Sequence, residues 1–144
     1  MEIRDSLQRP HHRLEVWRDA MNLVEAVYAF SSGFPDNERF GLTSQLRRAA
    51  VSVPSNIAEG AARRSTAEYL RFLSIARGSL SELDTQLQIA TRLRFAQTSS
   101  DLNELLDCTF AKLNALMNAI GQRIDESRLP SPESRIPESP CSIK

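Results

Sequence analysis

STAEYLRFLSIARGSLSELDTQLQIA, residues 65–90, decides the fold class. Ser65 with Glu68 three residues on has the form of a capping box, in which a hydroxyl and a carboxylate satisfy the first free N–H groups of a helix. Tyr69, Leu73, Ala76, Leu80, Leu83, Leu87 and Ala90 then recur by fours and threes along one face. That spacing approaches a heptad seam, which needs other helices to bury it. Gly78 interrupts the stretch at a cost of about 1 kcal/mol relative to Ala, and predicts a close helix approach.

Working towards the N-terminus, Leu46, Ala49/Ala50, Val53, Ile57 and Ala61 keep a helical spacing straight through Pro54. A loop would scramble the apolar phase, so one kinked helix from Thr43 to about Arg63 is expected, despite the roughly 3 kcal/mol that an internal proline costs. Gly60, with Ala58, Ala61 and Ala62 around it, suits close packing. Before the Gly41 turn, residues 14–30 carry two stripes: Leu14, Trp17, Met21, Val24 and Tyr28, and beside it Val16, Ala20, Leu23, Val27 and Phe30. One bundle seam needs only one of them. The first is expected to face the core, and Val16, Leu23, Val27 and Phe30 of the second to meet another subunit. Ser31 to Gly33 and Pro35 end this helix.

Towards the C-terminus, Gln97 to Ser100 make a turn, and Leu102, Leu105/Leu106, Leu113, Leu116/Met117, Ile120 and Ile124 mark a fourth helix. Residues 125–144 hold four prolines and five serines, too little apolar surface to offset ordering entropy, and are expected to be a disordered tail. Residues 1–12 are expected to be a flexible lead-in, leaving 13–124 as the folded unit. No run of alternating β-branched residues appears. The fold class expected is all-α, an antiparallel up-down-up-down four-helix bundle with short loops.

Composition narrows the function classes. At 144 residues, 41% hydrophobic and 25% charged, the chain is one globular domain that needs no disulfide or metal to hold it. No apolar run reaches the length of a membrane span, and the charged start lacks a signal peptide's apolar stretch, so a cytoplasmic location without membrane contact is expected. The only histidines, His11 and His12, precede the first helix, whereas carboxylate-bridged metal sites in bundles use helix-borne Glu-x-x-His pairs. Cys108 and Cys141 are too few for a thiolate zinc site, and Cys108 sits at the edge of an apolar face as a small packing residue. Neither catalysis, a cofactor nor a metal is expected.

Eighteen Lys+Arg balance eighteen Asp+Glu, but unevenly: residues 39–77 hold seven arginines against Glu59 and Glu68, a net of +5, while 1–38 carry −3 and 78–144 carry −2. Arg47, Arg48, Arg63, Arg64, Arg71 and Arg77 lie on the second and third helices. They are candidates for contacts with an RNA or DNA backbone, because guanidinium groups bind phosphate bidentately. The structural alternative is a set of surface and intersubunit salt bridges. Tyr69 and Phe72 are the nearest aromatics and are expected to serve packing. Gln45, Pro54, Asn56 and Glu59 make a polar cluster at the proline. It is either a small binding site or, on the structural reading, backbone satisfaction with a Glu59–Arg63 pair.

Leu14-Glu15-Val16-Trp17, Phe34-Pro35, the run GLTSQLRRAAVSVPSNIAEG (41–60) and ARGSLSEL (76–83) fit one pattern. The chain resembles the bacterial family of proteins encoded by intervening sequences in large-subunit ribosomal RNA genes. The match spans about Leu14 to Leu93, with helix four by pattern only. The resemblance implies a four-helix bundle that assembles into a homopentamer. It also implies kinship with the basic accessory variability protein of diversity-generating retroelements, which binds nucleic acid and a reverse transcriptase. From this and the residues, a non-enzymatic homo-oligomer that scaffolds an RNA or protein partner is expected. Sequence-independent nucleic-acid binding by the arginines is the alternative.

Overall fold

The structure, a computed structural model, describes residues 8–128. Four helices account for nearly all of them: α1 Glu15–Ser31, α2 Leu42–Ala61, α3 Thr66–Arg92 and α4 Ser100–Arg128. No strand occurs among the described residues. Each helix packs on two others in a ring, α1 on α2 and α4, and α3 on α2 and α4, with the α2–α3 contact the most extensive. Gly60 meets Tyr69 and Phe72, whereas Ser52, two turns earlier, meets Ser79, so α2 and α3 run antiparallel. The four-residue link between them leaves no other arrangement.

The core is aliphatic and shared by all four helices: Leu23, Leu46, Ile57, Leu73, Leu80, Leu83, Leu113 and Ile120 are fully buried. α2 passes through Pro54 without a break. Val53 and Ile57 on either side of it have no exposure, so burial of the flanking turns offsets the missing backbone hydrogen bond. Ser65 Oγ accepts the Glu68 N–H at 3.3 Å and starts α3. α3 ends with Arg94 in the left-handed region (φ 60°), Phe95 N–H bonding back to the Ala90 carbonyl and Arg94 N–H to Thr91. This is the Schellman ending, and it turns Phe95 onto Phe34, which packs edge-on against Phe30.

Several expectations are corrected. The stripe assigned to another subunit is the core stripe of α1: Val16, Leu23 and Val27 are buried inside this chain, and Phe30 is half-buried at its end. Of the stripe assigned to the core, Met21 and Tyr28 are exposed, whereas Leu14, Trp17 and Val24 are half-buried against the core's edge. Ala20, Val16 and Val27 are small enough to let α2 and α4 approach, whereas Trp and Tyr have bodies that cover apolar surface and polar tips that stay wet. The lead-in is structured from Pro10, where a 3-10 turn to Arg13 lays His11 and His12 against Trp17. α4 continues past Ile124 to Arg128, with Ser127 Oγ donating to the Ile124 carbonyl and Arg128 favourable at the negative helix end. The remaining tail, 129–144, and residues 1–7 lie outside the described residues. Cys108, expected to be a small packing residue, is exposed.

Gly78 also faces outward, and a Cβ there would meet nothing within 4 Å. Gly78→Ala is therefore expected to raise stability by about 0.5–1 kcal/mol through helix propensity, measured by urea denaturation. A loss of stability would contradict its outward position.

Candidate nucleic-acid interface and assembly face

The six arginines singled out from the sequence do not form one patch. Arg47 lies near the start of α2 and Arg63 in the link just past its end, with about 20 Å of helix between them. Arg63 pairs with Glu59 at 3.0 Å and lies over the Phe72 ring at 4.8 Å. Arg71 flanks the same ring at 5.7 Å, and Arg64 is exposed in the turn that follows Arg63. These three gather at the α2–α3 turn, where Glu59 takes up part of the charge. Arg77 stands apart, donating to Asn114 Oδ1 of α4 at 3.2 Å.

Arg47 and Arg48 sit at the head of α2 and are joined there by two residues that the spacing of the helices did not mark, Arg39 and Phe40. With Tyr28, Thr43, Ser44, Val51 and Ser52 they line a concavity of about 650 Å³. Arg47 forms its fixed wall, Nε donating to Ser31 Oγ at 2.8 Å while the guanidinium covers the Tyr28 ring at 4.5 Å. Ser31 is held in turn by the Val27 carbonyl at 2.8 Å. Arg39 lies over Phe40 at 5.5 Å, and Phe40 is 89% exposed. Glu38 caps the start of α2 beside this corner, its Oε2 accepting the Leu42 N–H at 3.0 Å, and is not part of the lining. Gly41 makes room for that carboxylate, since a Cβ would sit 2.6 Å from the same oxygen. An adjacent Arg-Phe pair in a loop was the available signal, but it falls outside every periodic segment.

A second concavity, about 410 Å³, runs along the outside of α1 and α2 between His11, Trp17, Met21 and Val24 and Val51, Pro54, Ser55 and Ala58. Its lining is apolar apart from His11 and Ser55. Burial against Trp17 and the neighbouring His12 push the His11 pKa below its ordinary value, so the imidazole adds little charge at neutral pH. The polar cluster at the proline is dispersed, and of its members Asn56 lies beside the α2–α3 contact. Asn56 Nδ2 donates to the Ser52 carbonyl at 2.8 Å and to Ser52 Oγ at 2.9 Å, and Ser52 Oγ pairs with Ser79 Oγ at 2.8 Å. Asn56 thus braces Ser52 within α2, and it is the Ser52–Ser79 bond that joins α2 to α3; Glu59 holds Arg63, and Gln45 is exposed.

The sequence profile of the 23S rRNA-intervening sequence proteins matches residues 12–118. The chain belongs to this family. The family match takes in α1 to α3 and most of α4, and so covers the first concavity and all of the second except His11. A search of curated proteins gave no match. In this member of the family no helix among the described residues is long and apolar enough to cross a membrane.

Proposed function

We propose that this protein is a non-catalytic assembly module of the cytoplasm, a bundle that self-associates through the outer α1–α2 face and scaffolds an RNA or protein partner. One observation carries the reading. Met21 and Val51 are each more than 40% exposed on adjoining helices, and Trp17, Val24, Pro54 and Ala58 extend them into a continuous apolar groove. Contiguous apolar surface of this kind marks interaction sites. A contact between unlike faces that closes into a ring would bury this groove in every copy. Five is the subunit number that the family resemblance supports.

Replacing Met21 and Val51 together with Asp should dissociate the assembly in light scattering while the helical circular dichroism signal is kept, because neither side chain belongs to the core. A wild-type protein that is monomeric at micromolar concentration overturns the reading. Direct, sequence-independent nucleic-acid binding is the second reading. It is supported at the head of α2, where three guanidinium groups meet two aromatic rings.

A further inference from the structure

We propose that the corner at the head of α2 holds an unpaired stretch of nucleic acid, one base stacked on Phe40 and the adjoining phosphates on Arg39 and Arg48. The proposal rests on the second reading above and gives it a site and a preference. An aromatic ring that is 89% exposed contributes nothing to the core, and Phe40 presents that ring beside a cationic concavity. A base can stack on it only when unstacked from its own neighbours, so the ring selects single strands over duplexes.

The charge around the ring has the right sign and placement. Arg39, Arg47 and Arg48 line the concavity and no carboxylate does. Arg47 is committed to Ser31 and Tyr28, so it acts as a fixed positive wall. Arg48 makes no hydrogen bond, ion pair or aromatic contact among the described residues, and its guanidinium is exposed. Arg39 touches only the Phe40 ring, which leaves its N–H edge to bind a phosphate. Thr43 belongs to the same lining, and its Oγ1 is buried without a hydrogen-bond partner among the described residues. A volume of about 650 Å³ lies within the range of small-ligand sites. An acidic protein segment would satisfy the arginines but gives no reason for a bare aromatic face beside them. Arg39, Phe40 and Arg48 lie outside the apolar α1–α2 groove and Met21 lies outside the corner, whereas Val51 lines both, so changes at the first three leave the groove intact and Met21→Asp alone disturbs the groove without touching the corner.

Fluorescence anisotropy with a labelled single-stranded oligouridylate and with an RNA duplex of the same length tests the proposal, with the assembly mass followed by light scattering in the same samples. Wild type should bind the single strand more tightly than the duplex. Phe40→Ala should weaken single-strand binding by about five- to 150-fold and leave both the duplex affinity and the assembly mass unchanged, while Phe40→Tyr should restore binding. Arg48→Gln should reduce the slope of log affinity against log salt by about 0.7. Equal affinity for both probes, or unchanged single-strand binding by Phe40→Ala, overturns the proposal. A change in assembly mass without a change in RNA binding does so too, and marks Phe40 as a contact between copies. No binding by wild type even at low salt overturns both this site and the second reading but leaves the assembly intact. A monomer that still binds and still depends on Phe40 upholds the site and removes the ring.

Discussion

Leu80→Ala is expected to lower the free energy of unfolding by about 2–5 kcal/mol, read as a shift of the urea midpoint at constant slope. Leu80 is fully buried at the centre of α3, the helix that packs on both α2 and α4. Truncation removes the transfer energy of three methyl or methylene-sized groups and leaves a cavity that two neighbouring helices would have to move together to fill. Domains of this size are stable by only about 5–15 kcal/mol, so the loss is a large fraction of the total. The upper half of the range is expected because Leu73, Ala76 and Leu83 on the same face are also fully buried and leave no loose edge that could relax inward. A cost below about 1 kcal/mol would mean that the site collapses freely, which a close-packed interior does not allow.

The seam around Leu80 was legible because burial on a helix has a period, and the period survives in the order of residues. Continuity through Pro54 was legible for the same reason: the apolar phase on both sides of it agrees. Periodicity is silent about rotation. The two stripes of α1 have the same spacing, and only the positions of α2 and α4 decide which turns inward. Residue size held the missing hint, since Val16, Ala20 and Val27 fit between helices and Trp17 and Tyr28 suit a rim. That rotation is why the proposed assembly face centres on Met21 and Val51 and not on Leu23 and Val27.

The arginines failed in a related way. A count over residues 39–77 detects a basic segment, but each arginine's azimuth on its helix decides its company. Arg77 turned to Asn114, Arg63 to Glu59 and Phe72, and Arg47 to Tyr28 and Ser31. Arg39 and Phe40 precede α2 in a short loop, where there is no phase to read. Their importance comes from the close approach of the α1 end to the α2 start, which only the folded chain displays.

Gly60→Val is expected to cost about 3 kcal/mol, and the two glycines of the middle helices make its sign informative. Gly78 and Gly60 both lie inside helices, where propensity alone favours replacement by Ala by about 1 kcal/mol. At Gly78 nothing opposes that gain. At Gly60 a Cβ would lie 2.9 Å from Phe72 Cβ, 3.1 Å from Tyr69 Cδ1 and 3.2 Å from the Tyr69 carbonyl oxygen. Two of these three atoms are backbone or anchored directly to it, so a rotamer change cannot clear them. α3 itself would have to shift away from α2, across the most extensive helix contact in the molecule and along the Ser52–Ser79 hydrogen bond at 2.8 Å. Gly60→Ala should therefore destabilise where Gly78→Ala stabilises, and Val, which adds two methyl groups beyond Ala and stiffens χ1, should exceed Ala in cost. Urea unfolding of the three variants side by side measures this. Equal effects of Ala at positions 60 and 78 would show that α2 and α3 do not approach as closely as the Gly60 contact requires.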